Sequence, residues 1–163
     1  ARVEYFGDPD LSDSERPVRK DIQGLRFSFV EWSDWTSEDP DSTNAAIRAE
    51  AQQGRLVIVY THWGEEYVPA TDRMKRMARS FIDSGATMVI GSHPHVVQEH
   101  EVYLDRHIYY SLGNLIFDQY WMPEVSQGLL VEVVFGLEGV LDIKEIPVVL
   151  QRDRQTCPVS PIE

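Results

Sequence analysis

An α/β fold, a βαβ unit followed by antiparallel β hairpins, is what this sequence predicts, and three observations predict it. The runs "RLVIVYTHWG" and "TMVIGSHPH" are short, apolar and β-branched, the pattern of strands buried on both faces. Between them "TDRMKRMARSFIDSGA" sets Met74, Met77, Ala78, Phe81 and Ile82 at spacings of three and four, one apolar stripe on a helix closed by Gly85. After Val96 the pattern changes to alternating strand-like segments separated by turn residues.

Each element can be justified in chain order. Ala1 to Gln23 is polar, rich in Asp, Pro and Ser, and is read as an arm. "LRFSFVEW", Leu25 to Trp32, alternates at period two after Gly24 and predicts a strand. "STNAAIRAEAQQG" predicts a helix capped by Ser42 or Thr43 and ended by Gly54. The strand Leu56 to Tyr60, the Met-striped helix and the strand Thr87 to Ile90 then form a βαβ unit. Its right-handed crossover makes the two strands parallel. "VVQEHEVYLDRHIYYSLGN" reads as two strands about Leu104-Asp105-Arg106, and "GLLVEVVFGLEGVLDIKEIPVVL" as a hairpin about Leu137 to Gly139. Gln151 to Glu163 is read as a peripheral tail, so 1–163 counts as a single, partial domain. Two helices offer little cover for strands apolar on both faces, which predicts an open apolar face and association.

Composition excludes several function classes. The 163 residues carry a formal charge of −12, which repels phosphate backbones and argues against nucleic acid as a partner. No apolar run reaches the roughly 18 residues that mark a membrane span, and no basic start followed by an apolar stretch marks a signal peptide. Cys157 is alone, so neither an internal disulfide nor a four-cysteine zinc site can form.

The chemistry concentrates where the parallel strands end. His62 closes the first, and His93 and His95 follow the second. Strands of one βαβ unit leave the sheet at the same edge, where ligands bind in open α/β sheets. A lone histidine is more often a hydrogen-bonded core residue, but three converging imidazoles make a metal site. Gly91 is expected to let the chain turn before the pair, and Pro94 to stiffen the loop. Trp63 is read as core packing. Tyr67, Tyr109, Tyr110, Phe117, Tyr120 and Trp121 are candidates for an aromatic rim, with packing the commoner role.

Three motifs carry a resemblance. His62 to Tyr67 matches a His-Trp-Gly-x-Glu-Tyr stretch and Gly91 to Val96 a Gly-x-His-Pro-His-Val element. Tyr110 to Asn114 with Phe117 to Gln119 matches Tyr-Ser-Leu-Gly-Asn followed by Phe-Asp-Gln. In this order they resemble the poly-γ-glutamate capsule biosynthesis family of the calcineurin-like metallophosphoesterases, over roughly Leu25 to Val149. The resemblance implies a partial calcineurin-like sandwich and a bound divalent ion (manganese, zinc or iron). His62, His93 and His95 would be metal ligands, with Glu66, Asn114 and Asp118 in catalytic or orienting roles and Glu65 a weaker candidate. It further implies an anionic polymer substrate and a place in the bacterial cell envelope, outside the cytoplasm. The family's opening Gly-Asp strand, its Asn-x-Glu and its Asn-Asn-His stretches have no counterpart here, and Gly7-Asp8 sits in a polar arm. The chain therefore resembles the carboxyl-terminal half of the catalytic domain. Its expected partner is the amino-terminal half or a second copy, and the isolated chain is expected to hydrolyse little or nothing.

Overall fold

The computed structural model describes residues 17–35, 39–151 and 155–159. Strands β1 (Val18–Ile22) and β2 (Leu25–Ser33) precede helix α1 (Asp41–Gln52). Strand β3 (Leu56–His62), helix α2 (Asp72–Asp83) and strand β4 (Met88–Ser92) follow, then β5 (His100–Tyr103) and β6 (Arg106–Tyr109). A 3-10 turn, Pro123–Ser126, leads into β7 (Gln127–Gly136), β8 (Gly139–Leu150) and β9 (Thr156–Pro158). Six strands form one sheet in the order β1-β2-β3-β4-β6-β5, and β7-β8-β9 form a second. Strands β2, β3, β4 and β6 run parallel, with β1 and β5 antiparallel at the edges. Among the described residues, no helix is long and apolar enough to cross a membrane.

The alternation along β3 explains the layers. Val57 and Val59 point into a cluster with Ile47 of α1 and Met74, Met77 and Phe81 of α2. Leu56 and Ile58 point the other way, joining Phe27, Met88 and Tyr109 beneath Leu129, Val131, Val133 and Phe135 of β7. The main sheet is thus buried between helices and the hairpin sheet. The open face expected from the sequence is corrected: the hairpin itself covers it.

Other expectations change in physical detail. The arm is a strand from Val18 to Ile22, made by a two-residue turn at Gln23-Gly24, both at positive φ, and five paired positions on β2. Gly7-Asp8 lies outside the described residues. Ser42 and Thr43 sit inside α1, whose N-cap is Pro40. The Asp39 carboxylate instead accepts from the Asp41 amide at 3.0 Å. Helix α2 starts on Thr71, whose hydroxyl accepts from the Met74 amide. The tail contributes β9, pairing Thr156 to Pro158 with Val148 to Leu150. Gly91 is no turn: it lies in β4 opposite Thr61, and a Cβ there would stand 2.0 Å from the Tyr110 carbonyl oxygen. A side chain cannot fit where two backbones approach this closely.

Candidate metal centre

Parallel register brings the loops together. His62 is level with Ser92 on β4 and with Ser33 on β2, so the three strands end at one edge. The Ser92 hydroxyl donates to the Thr61 carbonyl (2.9 Å) and the Trp63 amide to the Ser92 carbonyl (3.2 Å), tying β3 to β4 where the histidines begin. Trp63 is buried, with Nε1 donating to the Tyr110 carbonyl at 2.8 Å, so packing is its role.

The backbone is strained where the ligands sit. His93 (φ 96°), His95 (φ 60°) and Tyr67 (φ 65°) occupy positive φ without being glycine. Each costs about 1–3 kcal/mol and persists only when its surroundings hold it. Here the Tyr67 amide donates to the carbonyl of buried Pro94 at 2.9 Å, pinning one loop to the other.

Donor atoms of Glu66, His93 and His95 lie within 4.8 Å of one another, and His95 Nε2 is 4.0 Å from Glu66 Oε1. The His62 ring stands against His93, centroids 4.6 Å apart, and outside that triad. Its Nδ1 is buried and has no hydrogen-bond partner among the described residues. Burial, then the neighbouring His93 and His95, hold the His62 pKa below its ordinary value, so the ring stays neutral with a lone pair to offer. Imidazole and carboxylate donors with an orphaned imidazole nitrogen fit a first-row divalent ion such as zinc, manganese or iron.

The other sequence candidates separate. Asn114 is buried, and its Oδ1 is 2.8 Å from His95 Nδ1. Asp118 is exposed and lines a different cleft of about 400 Å³ with Ile116, Phe117 and Tyr120. Glu65 is exposed beside the site. Of the aromatic candidates, Phe117 packs on His95 (4.9 Å) and Tyr67 on His95 and Trp121. Tyr109 and Tyr110 belong instead to the core, their hydroxyls on Glu145 and Glu101.

Two residues escaped the sequence reading. Trp35 is three-quarters exposed, yet its ring lies 4.5 Å from His62 and 5.5 Å from His93. Asp34 accepts from the Gly64 amide at 2.8 Å and pairs with Arg73, fixing the turn after His62. The signal was available: β2 is also parallel, so the residues after Ser33 must reach the same edge.

The chain is similar to known proteins of one family. A family model, "Bacterial capsule synthesis protein PGA_cap", matches residues 1–119. The capsule biosynthesis protein CapA of Bacillus anthracis is 39% identical over 171 aligned residues, covering 93% of this chain and 41% of that protein. The PGA biosynthesis protein CapA of Bacillus subtilis (strain 168) is 42% identical over 84 residues, 51% of this chain and 22% of that protein. An uncharacterized protein, y4sH, of Sinorhizobium fredii is 42% identical over 62 residues, 38% of this chain and 13% of its own length. The chain spans about two fifths of the Bacillus anthracis relative. With the family model matched over most of its length, the chain belongs to the PGA_cap bacterial capsule synthesis family, within the calcineurin-like metallophosphoesterases.

Proposed function

We propose that this chain is the carboxyl-terminal part of a metal-dependent, phosphoesterase-like hydrolase that serves the synthesis or processing of a poly-γ-glutamate capsule in the bacterial cell envelope. The observation that carries the reading is the Glu66–His93–His95 cluster on the sheet edge, with the unpartnered His62 Nδ1 beside it. A bound divalent ion would polarise a phosphoryl or amide oxygen and activate water. The chain's own residues do the rest. His93, His95 and Glu66 would hold the ion, His62 would add a neutral imidazole, and Asn114 orients His95. Trp35, Tyr67 and Phe117 wall the edge with rings and limit the approach of water. The relatives' names, capsule and PGA biosynthesis, supply the polymer context, and the substrate is then an anionic γ-linked glutamate chain or its linkage.

The second reading is a non-catalytic capsule-assembly component whose histidines hold a structural ion. It draws on Asp118 facing a different cleft, which leaves Glu66 as the triad's one carboxylate. A two-metal hydrolase needs a bridging carboxylate and a second ligand set. In our reading these come from the amino-terminal half of the family's domain or from a second copy of the chain.

Metal analysis of the purified chain, followed by calorimetric titration with manganese and zinc, tests the site. About one equivalent of ion is expected for the wild type, and none for the His93→Ala/His95→Ala double variant. A wild-type chain that binds neither ion overturns the reading. Hydrolysis of an aryl phosphate with added manganese is expected only when the remaining family segment is supplied. Continued inactivity with it present favours the assembly role.

A further inference from the structure

Gln119 joins the two ends of the triad. The Asn114 side-chain nitrogen donates to Gln119 Oε1 at 3.1 Å and to the Val125 carbonyl at 2.8 Å. An amide nitrogen has two protons, and both are used, so the Asn114 oxygen is the atom that faces His95 Nδ1 at 2.8 Å. That oxygen can only accept. His95 must therefore carry its proton on Nδ1 and keep the Nε2 lone pair, the atom turned toward Glu66.

The same polarity runs on through Gln119. Its oxygen is occupied by Asn114, so its nitrogen points away and donates to the Tyr67 hydroxyl at 3.3 Å. Tyr67, accepting from Gln119, is left to donate its own proton to the Glu66 carboxylate with which it is hydrogen-bonded. Gln119 is 7% exposed and Asn114 6%, so water does not compete for these groups. Turning the Gln119 amide over would set N–H against N–H at Asn114 and oxygen against a hydroxyl that has already given its proton away. The Val125 carbonyl, which can only accept, sets the Asn114 end of this circuit, and Gln119 carries the same polarity on to Tyr67.

We propose that Gln119 is a positioning residue of the metal centre, bracing the Asn114 amide behind His95 and the Tyr67 hydroxyl beside Glu66. This rests on the metal-binding reading above. Outer partners of metal ligands commonly carry about 10–100-fold in affinity. The loss should therefore appear in ion binding, with less effect on folding.

The experiment compares wild type with Gln119→Leu, Gln119→Glu and Tyr67→Phe. Two-bond ¹H–¹⁵N spectra of metal-free, ¹⁵N-histidine-labelled protein report the tautomer, and calorimetry reports manganese and zinc affinity. Wild type is expected to show the Nδ1–H form alone. Gln119→Leu should keep the Nδ1–H tautomer, which Val125 still fixes through Asn114, and weaken binding about 10–100-fold. Gln119→Glu can accept from Asn114 yet cannot donate to Tyr67, so it should keep the tautomer and bind with intermediate affinity. Tyr67→Phe cuts only the Glu66 arm, and it should weaken binding with the tautomer unchanged. It also serves as the deciding variant if Gln119→Leu does not fold. Gln119→Leu or Tyr67→Phe with wild-type affinity, or Gln119→Glu binding no better than Gln119→Leu, overturns the proposal. A wild-type chain that binds no ion overturns the metal reading separately, because the tautomer is read without metal.

Discussion

Replacing Gly91 by alanine should unfold much of the molecule's margin of stability, and the cost can be worked from its surroundings. The new Cβ would lie 2.0 Å from the Tyr110 oxygen, 2.5 Å from Trp63 Nε1 and 2.8 Å from the Tyr110 carbonyl carbon. Backbone atoms cannot swing aside as a side-chain tip can, so β4 must move from the segment after β6 by about 1 Å to reach even the tightest tolerated contact. Overpacking of this kind costs about 1–3 kcal/mol. The displaced group also separates Trp63 Nε1 from the Tyr110 oxygen, breaking a 2.8 Å bond and leaving a buried donor unpaired, for about 1–3 kcal/mol more. Together these give about 2–6 kcal/mol, a large share of the roughly 5–15 kcal/mol that a domain commands. Urea denaturation followed by tryptophan emission measures it, Trp63 being 1% exposed. Gly24→Ala is the control: φ is +83° but no atom lies within 4 Å, so only the left-handed backbone cost of about 1–2 kcal/mol applies. A Gly91→Ala variant that loses under about 1 kcal/mol, or no more than Gly24→Ala, refutes the close-approach argument.

Other expectations follow from buried charge. Glu50, 2% exposed in α1, accepts from Arg19 (2.5 and 2.9 Å) and Ser28 (3.0 Å) and lies 3.7 Å from Arg55 Nε. Glu50→Gln should cost about 3 kcal/mol by urea titration, the low end for a broken buried pair because Arg19 is half exposed; a loss below about 1 kcal/mol would contradict this. The Arg19 guanidinium holds the Glu50 pKa below its ordinary value of 4.5. That contribution is therefore complete above pH 4.5 and disappears as pH falls through the folded value, so Glu50→Gln should lose less stability at pH 3 than at pH 7. Burial, then the neighbouring His100, lowers the His107 pKa below 6.5, with His100 Nε2 2.9 Å from His107 Nδ1. Its stabilisation is present above 6.5 and lost as pH falls below it, so His107→Gln should flatten the stability profile just under pH 6.5, and an unchanged slope would rule that out.

How much could be read from sequence depends on whether the cause is local. The βαβ unit was, because the β-branched run at Leu56–Tyr60 and the Met74–Ile82 stripe each dictate their own element, and crossover handedness does the rest. The same rule places His62, His93 and His95 at one edge. Strand β1 was not readable: "VRKDI" has no apolar alternation and extends only because β2 offers it an edge. Strand β9 is three residues paired across the hairpin sheet, again a distant cause. Gly91 shows the limit from another side, since a glycine needed for close approach looks in sequence like one needed for a turn.

The site divides along the same line. Which histidines gather follows from topology. Which of their nitrogens is free follows from the direction of the Asn114 and Gln119 amides, set by Val125 and Tyr67 from separate parts of the chain. Cover for the main sheet is a third case. Strand β3 announces in its own residues that both faces must be buried, and Leu129, Val131, Val133 and Phe135 announce an apolar face with nothing local to cover it. Each pattern states a need, and neither names the partner. Once Leu56 and Ile58 are seen under β7, an open apolar face no longer supplies a reason for the chain to associate. The reason that remains is chemical. A triad with one carboxylate is short of the donors a two-metal centre requires, so the partner we propose would be recruited at the histidine edge, beside Trp35 and Phe117, rather than across the back of the sheet.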